Sequence, residues 1–402
     1  MGRMANLMDH AGELRLNEYF DRIGTVLGDR RRRESFAVYA MGLFGDGERK
    51  SIEPMAARAC PEGADAAHQR LLHFATDSPW SDREVRREAA DYALEAMMER
   101  EPIEAWIVDD TGFIKQGSHS VGVQRQYTGS AGKITNCQLG VSLSIATRTE
   151  HLPIDFELYL PHSWMDDPRR RAEARIPEDL PFKTKPELGL DMIRRARADG
   201  VPKGVVLADT SYGSSDFRKG VRALKMHYAV GVEPQTNVTL VDRDSRPRAE
   251  PISVRDLAFA IQYAGGFRRC TWRKGTKQDL TARFALRRVV TPSDGADPQW
   301  LLIEWRDGEP EPANYFLSTL PERLTKKQLI RIVMQRWRTE RVYEDLKGEL
   351  GLDHFEGRRF PGWHHHISVA LCCFAFVTAE RVRRFPPSAG GAVEDRSHSI
   401  AA

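Results

Sequence analysis

The chain has 402 residues, enough for two or three domains of ordinary size, and 41% of them are hydrophobic, which supports a real core. The net charge is only +3, so the overall charge does not by itself indicate a nucleic-acid partner. The five cysteines include no C-x-x-C pair, so no zinc ribbon is indicated; their odd number and the absence of a signal peptide favour a reducing cytoplasm over secretion.

The first hundred residues are predicted to be helical. Apolar residues recur at helical spacing over 19–27, a second apolar patch covers 37–44, and a short helix is expected over 68–74. Ser81 is expected to cap a helix over 82–100. No zinc or cofactor pattern occurs here. We interpret residues 1–100 as a helical DNA-binding domain. A purely structural helical cap is the alternative.

From residue 101 the pattern changes to strands alternating with helices. Strands are predicted at 103–108, 139–145, 154–160, 205–208 and 227–232, and helices at 188–199 and 214–224. Consecutive strands followed by strand–helix–strand units predict an α/β fold with a mixed sheet and helices on its faces.

The later part of the chain is predicted to complete a second domain over 101–380. Residues 233–320 contain further strand-like pieces and are interpreted as a β-rich insertion, after which 324–349 is predicted to be one long helix. The apolar run 367–379 is too short to span a membrane and is predicted to be a buried helix. The small, polar residues 385–402 are expected to be a disordered tail.

Three acidic residues lie in separate segments where a strand or helix would present them to a metal. Asp109 and Asp209 each end an apolar strand-like run, and Glu340 lies within the long predicted helix. Divalent cations that drive phosphodiester chemistry need carboxylates converging from different elements. Asp110 is the alternative to Asp109, since neighbouring side chains on a strand face opposite ways. For Asp209, capping of the following helix is the alternative.

Two basic residues flank Glu340 on the predicted helix. Arg336 lies four residues before it and Lys347 seven after, which would place all three on one helical face beside a bound phosphate. A charged, solvated helix face is the alternative.

A second basic group surrounds a tryptophan in the insertion, and it is a weaker candidate for DNA binding. Its members are Arg268, Arg269, Trp272, Arg273 and Lys274. By contrast, the segment 129–133, GSAGK, is not a P-loop, because a P-loop needs Gly at position 127 and Ser or Thr at 134, where Tyr127 and Ile134 stand.

These segments together resemble the DDE transposases of bacterial insertion sequences, in the retroviral-integrase-like superfamily, over about residues 15–380. Segment 108–115, VDDTGFIK, resembles the first catalytic strand of that group, and segment 207–213, LADTSYG, resembles its second Asp box. Arg336, Glu340 and Lys347 resemble the last three residues of the YREK signature, with Val333 in the place of its Tyr. Segments 349–358 and 362–366 are similar to one particular subgroup.

The resemblance implies an RNase H-like fold in which Asp109, Asp209 and Glu340 are the catalytic residues and hold two Mg²⁺ ions, for which Mn²⁺ may substitute. It implies a transposase that cuts element ends and joins them to target DNA by metal-dependent hydrolysis and transesterification. The implied partners are double-stranded DNA and a second copy of the chain in the DNA complex, with no membrane, in the bacterial cytoplasm at the nucleoid. A catalytically silent, transposase-derived DNA-binding regulator is the alternative function, and a nuclease without strand transfer would share the same site.

Overall fold

The structure is a computed structural model that describes residues 9–384 except 243, 245, 249 and 274–278, and except the side chains of Arg273 and Ala296. The predicted disordered tail, 385–402, lies outside the described residues.

Helices occupy the N-terminal hundred residues, as predicted. They are α1 (His10–Leu27), α2 (Arg30–Phe44), α3 (Ile52–Ala59), α4 (Ala64–Thr76) and α5 (Asp82–Met98). The predicted cap of α5 is confirmed, because the Ser81 side chain accepts the backbone N–H of Glu84 at 3.2 Å. The sequence pattern did not predict α3.

Strands and helices then alternate along the chain. The elements are β1 (Ala105–Ile114), β2 (Gln124–Thr128), β3 (Lys133–Ala146), β4 (His151–Tyr159), α6 (His162–Met165), α7 (Pro168–Glu173), α8 (Lys185–Ala198), β5 (Val205–Ala208), α9 (Ser215–Ala223) and β6 (Tyr228–Gly231). The strand β1 is longer than predicted and continues through Asp109 and Asp110, since hydrogen bonding to neighbouring strands overrides the low strand preference of aspartate.

The predicted β-rich insertion is present, with one unpredicted helix inside it. Its elements are β7 (Asn237–Leu240), β8 (Ile252–Ser253), α10 (Val254–Tyr263), β9 (Arg268–Arg273), β10 (Leu280–Thr291), β11 (Gly295–Trp305) and β12 (Asn314–Ser318). The remaining helices are α11 (Lys326–Val333), α12 (Arg338–Leu350) and α13 (Phe360–Arg384).

The prediction of one continuous helix over 324–349 was wrong. A 3₁₀ turn, Met334–Trp337, separates α11 from α12. In this turn Gln335 donates to the Glu104 carboxylate, which also accepts from Arg331 at 3.2 Å. Hydrophobic spacing over four residues cannot distinguish the period of an α-helix from that of a 3₁₀ turn.

Within the described residues the chain divides into two compact units. The first comprises 9–103, 110–184 and 338–384, and the second comprises 104–109 and 185–337. In the second unit, β5 runs parallel to both β1 and β6. Strands β12, β11 and β10 then follow β6 in an antiparallel series.

In the first unit, β3 pairs antiparallel with β2 and with β4. It also lies beside the second half of β1, where Lys115 donates its backbone N–H to the Asn136 carbonyl at 3.0 Å. The apolar run 367–379 lies in α13, which is mostly buried and packs against α5 and β4. Among the described helices, none has the length and apolar character that a bilayer crossing requires.

The predicted fold class, an α/β fold with an RNase H-like mixed sheet, N-terminal helices and a β-rich insertion before the helix that carries Glu340, is confirmed. Strands β1, β3, β4, β5 and β6 form its central part, in the spatial order β4–β3–β1–β5–β6. The second aspartate follows the fourth of these five strands, as expected. The domain boundaries at 100 and 380 stay predictions.

Candidate active site

Two of the three predicted acids lie at matching positions, directly after the residues with which the pairing of β1 and β5 ends. The register pairs Val108 of β1 with Ala208 of β5, and Asp109 and Asp209 are the residues that follow these two in the sequence. Adjacent strands lie about 4.8 Å apart in the hydrogen-bonding direction. The carboxyl ends of parallel strands are where open α/β sheets bind ligands.

The carboxylate of Asp109 forms an ion pair with Arg336. Asp109 is buried, with 8% of its surface exposed, and its Oδ2 accepts a hydrogen bond from Arg336 Nη1 at 2.9 Å. Arg336 lies on the 3₁₀ turn before α12. The prediction that Arg336 shares one continuous helical face with Glu340 was therefore wrong, because that helix is interrupted between them.

The side chain of Asp209 caps the 3₁₀ turn Thr210–Tyr212. Its Oδ1 accepts the backbone N–H of Ser211 at 2.9 Å, so the capping role considered for this residue is present. A carboxylate has two oxygens with about four lone-pair sites, so one hydrogen bond leaves room for a cation. The cap fixes the direction of this carboxylate.

Glu340 and Lys347 both lie on α12. Glu340 is exposed in the first turn, where the helix dipole favours a negative charge. Lys347 Nζ donates to Thr111 Oγ1 at 2.9 Å and to the Gly112 carbonyl at 2.7 Å, and burial lowers its pKa. The Tyr343 hydroxyl lies 2.6 Å from Ser142 Oγ and fastens α12 to β3. The ammonium of Lys347 is thereby held against β1.

The donor set at the end of the β1–β5 pairing fits a hard divalent cation, since both groups are carboxylates. Asp109 and Asp110 point to opposite faces of β1. Asp109 directly follows Val108, which pairs with Ala208 of β5. In the described part of the chain, no three His, Cys, Asp or Glu side chains are grouped so as to hold a metal ion. The approach of Glu340 to the two aspartates stays a prediction.

The predicted basic group of the insertion lies on β9. Arg268 and Arg269 are exposed and Trp272 is half-buried. Arg269 pairs with Asp307, which offsets part of its charge. The side chain of Arg273 and the whole of Lys274 lie outside the described residues.

Ser130 is a residue near Lys347 that the sequence did not single out. Its Oγ lies 3.1 Å from Thr111 Oγ1, accepts the Gly112 N–H at 3.2 Å and accepts from Lys347 Nζ at 3.3 Å. The signal that could have found it is the glycine-rich segment 129–133, whose turn fixes Ser130 against β1.

Two family models match overlapping parts of the chain, and together they span residues 22–376. Residues 22–279 match the DDE superfamily endonucleases, and residues 184–376 match the transposase DDE domain. The chain therefore belongs to the DDE superfamily of endonucleases.

A curated relative and a solved structure are among the proteins that are similar to the chain. The probable transposase for insertion sequence element IS701 of Microchaete diplosiphon is 26% identical over 365 residues, covering 89% of this chain and 86% of the relative. The piggyBac transposase, in a synaptic complex with hairpin DNA, shows 11% identity and a TM-score of 0.39, covering 88% of this chain and 66% of that one.

The family assignment confirms the resemblance to bacterial DDE transposases, and the predicted function of an insertion-sequence transposase is confirmed with it. Nothing in these matches supports a catalytically silent regulator. Endonucleases of this superfamily generally depend on a divalent metal, and transposases act on DNA. The number of ions, the homodimer and the individual site residues stay predictions.

Proposed function

We propose that this transposase cuts the ends of its element and joins them to target DNA with Asp109, Asp209 and Glu340 as its catalytic residues. The observation that carries the proposal is the matched placement of Asp109 and Asp209 directly after the paired residues Val108 and Ala208 in a DDE-superfamily chain. This placement supplies two carboxylates to one edge of the sheet. Glu340, on α12, is the third carboxylate.

These three carboxylates would hold two Mg²⁺ ions, with Mn²⁺ as a substitute. Bound there, such ions would activate the attacking water or 3′-hydroxyl and stabilise the leaving oxygen. The chain's own part is to place the carboxylates: the sheet spaces Asp109 and Asp209, and the bond from the Ser211 N–H orients Asp209.

The cations near these acids are proposed to bind DNA phosphates. The guanidinium of Arg336 already binds a carboxylate, and its planar fork fits a phosphate equally well. Lys347 carries a single ammonium held beside β1. The exposed Arg268 and Arg269 on β9, together with Trp272, Arg273 and Lys274, form a second proposed contact.

The proposed partners are double-stranded DNA, as both element end and target, and a second copy of the chain. Two element ends must be handled together for joining, which a homodimer in the DNA complex would satisfy. The helices of the N-terminal hundred residues are the proposed end-binding domain. The substrate would place the protein at the bacterial nucleoid.

The substitution Asp209→Asn tests the catalytic assignment. It keeps the side-chain size and the capping oxygen but removes the charge that would hold the metal. We expect cleavage and joining of element-end DNA in Mg²⁺ to be lost, while DNA-end binding is retained. Asp216→Asn, on the exposed side of α9, is the matched control and should cut at the unmodified rate.

Two results would contradict this assignment. A folded Asp209→Asn protein that still cuts at the unmodified rate would remove Asp209 from the site. An unmodified protein without metal-dependent activity on its own element ends would overturn the proposed reaction.

A further inference from the structure

The stretch from 111 to 149 contains no Asp or Glu, although the whole chain has 57 acidic residues among 402. Its basic residues are Lys115, Arg125, Lys133 and Arg148. Lys115 bonds to the Phe355 carbonyl at 2.7 Å and Arg148 pairs with Glu101, so these two serve the fold. Arg125 and Lys133 are exposed. A surface with one sign of charge attracts a polyanion.

These two exposed cations belong to the hairpin of β2 and β3, residues 124–137. Its register pairs Tyr127 with Ile134 and Arg125 with Asn136. Because directly paired residues share a face and alternate residues on a strand return to it, Arg125, Tyr127 and Ile134 lie on the same face.

That face presents large apolar side chains to solvent. Tyr127 is 64% exposed and Ile134 is 58% exposed. Two such residues directly opposite each other leave an apolar cross-strand pair uncovered. An uncovered apolar pair beside a cation, here Arg125, is suited to a ligand that has both apolar faces and negative charge. Nucleic-acid bases and phosphates have that combination.

The turn of the hairpin lies next to Lys347, one of the proposed phosphate-binding residues. Ser130, in the turn, bonds to Thr111 and Gly112 on β1, and it lies 3.3 Å from Lys347 Nζ. Gly112 permits this approach, because a Cβ at that position would collide with Thr128. Tyr127 is three residues from Ser130, so their Cα atoms are at most about 10 Å apart. DNA held at Lys347 would therefore lie within reach of Tyr127.

We propose that the hairpin 124–137 is a DNA-contacting element that holds locally unpaired bases. Tyr127 and Ile134 pack against the base faces, and Arg125, on the same face, binds an adjoining phosphate. Unpaired bases are the fitting occupant because a duplex shows only base edges in its grooves, whereas an unpaired base offers a face on which an aromatic ring can stack. This inference rests on the proposed function, in which DNA lies at the same site.

The experiment compares full-length variants on two DNAs of the same element-end sequence. One is a perfect duplex, and the other carries a short unpaired stretch with a 2-aminopurine whose fluorescence reports stacking. We expect Tyr127→Ala to weaken binding of the unpaired DNA roughly tenfold more than binding of the duplex, and to abolish the stacking signal. Tyr127→Phe keeps the ring and should retain both.

The charged position has a different expected signature. Arg125→Ala should weaken binding of both DNAs alike and reduce the salt dependence by about one counterion. Lys219→Ala, which removes one exposed charge from α9, is the matched control and should leave the salt dependence unchanged.

Tyr127→Ala and Ile134→Ala proteins that bind both DNAs like the unmodified chain would overturn the inference. The inference would also be overturned if the substitutions changed only the self-association of the DNA-free protein, because β2 would then be pairing with a second copy of the chain. If the unmodified protein cuts its element ends, and the hairpin variants bind both DNAs as the unmodified protein does, the hairpin inference fails and the proposed function stands. If the unmodified protein does not cut, the proposed function fails.

Discussion

Arg336 is proposed to bind two anions. It pairs with the buried carboxylate of Asp109 at 2.9 Å, and a guanidinium binds carboxylate and phosphate through the same planar fork. Lys347 makes no such fork; its ammonium is a single point charge. DNA binding would therefore draw on two chemically different cations.

We expect Arg336→Ala and Lys347→Ala each to weaken DNA binding and to flatten its salt dependence by about one counterion per lost contact. Arg336→Lys should restore only part of the affinity, since the two-pronged contact is lost. Fluorescence anisotropy over a salt series measures this, with Arg194→Ala on the exposed side of α8 as control. An unchanged salt slope would assign both side chains a purely structural role.

At the scale of elements, the hairpin turn depends on a glycine in β1. A Cβ at Gly112 would collide with the buried Thr128 side chain. We expect Gly112→Ala to destabilise the protein by about 1–3 kcal/mol, the usual cost of overpacking. Chemical denaturation measures the change, and Gly117→Ala is the matched control because its added Cβ meets nothing within 4 Å.

The collision itself is testable with a second substitution. If Thr128 is the obstacle, the double variant Gly112→Ala with Thr128→Gly should be more stable than the sum of the two single changes. Strict additivity would show that Gly112→Ala acts through the backbone and not through Thr128.

Sequence patterns predicted the elements with strong, simple signals. The strand β5 matched its prediction because Val205–Ala208 is a continuous apolar run, buried throughout. The strand β2 was missed because its one large apolar residue, Tyr127, faces solvent, so no alternation with a buried face is visible. Its position is set by pairing with β3, which spacing within β2 cannot reveal.

The candidate site was predictable to a similar degree. Asp109 and Asp209 could be found because each follows a strand-like run. The pairing of Arg336 with Asp109 could not, because it depends on a 3₁₀ turn whose four residues carry no distinct pattern. The turn forms where Gln335 and Arg331 meet Glu104, a contact between residues far apart in sequence.

At the scale of the whole molecule, buried histidines tie stability to pH. Burial, and next the charges of Arg338 and Arg381, lower the pKa of His151 to about 3. Within the described residues neither of its ring nitrogens has a hydrogen-bond partner. Burial also lowers the pKa of His366 to about 4. A base whose pKa is lower in the folded state is protonated more readily when unfolded, so its stabilising effect is complete above about pH 6.5 and declines as the pH falls towards the folded pKa.

We expect His151→Leu to reduce the loss of stability in acid. The free energy of unfolding should fall less steeply with decreasing pH by the contribution of one proton, about 1.4 kcal/mol per pH unit between the two pKa values. At neutral pH the variant should be no less stable, because two unpartnered polar atoms leave the interior. Denaturation midpoints over a pH series measure the effect, and the exposed His10→Leu is the control. Parallel acid limbs for unmodified and His151→Leu proteins would show that His151 does not titrate differently on unfolding.

The distance between the two strand-end aspartates is a property of the main chain. The hydrogen-bond ladder joining β1 to β5 sets it, and no particular side chain in either strand is needed to maintain it. Descendants of such a protein can exchange nearly all their surrounding residues and still inherit the spacing, provided that both strands keep their register. A one-residue slip would be the damaging event, because it would turn one carboxylate to the opposite face in a single step.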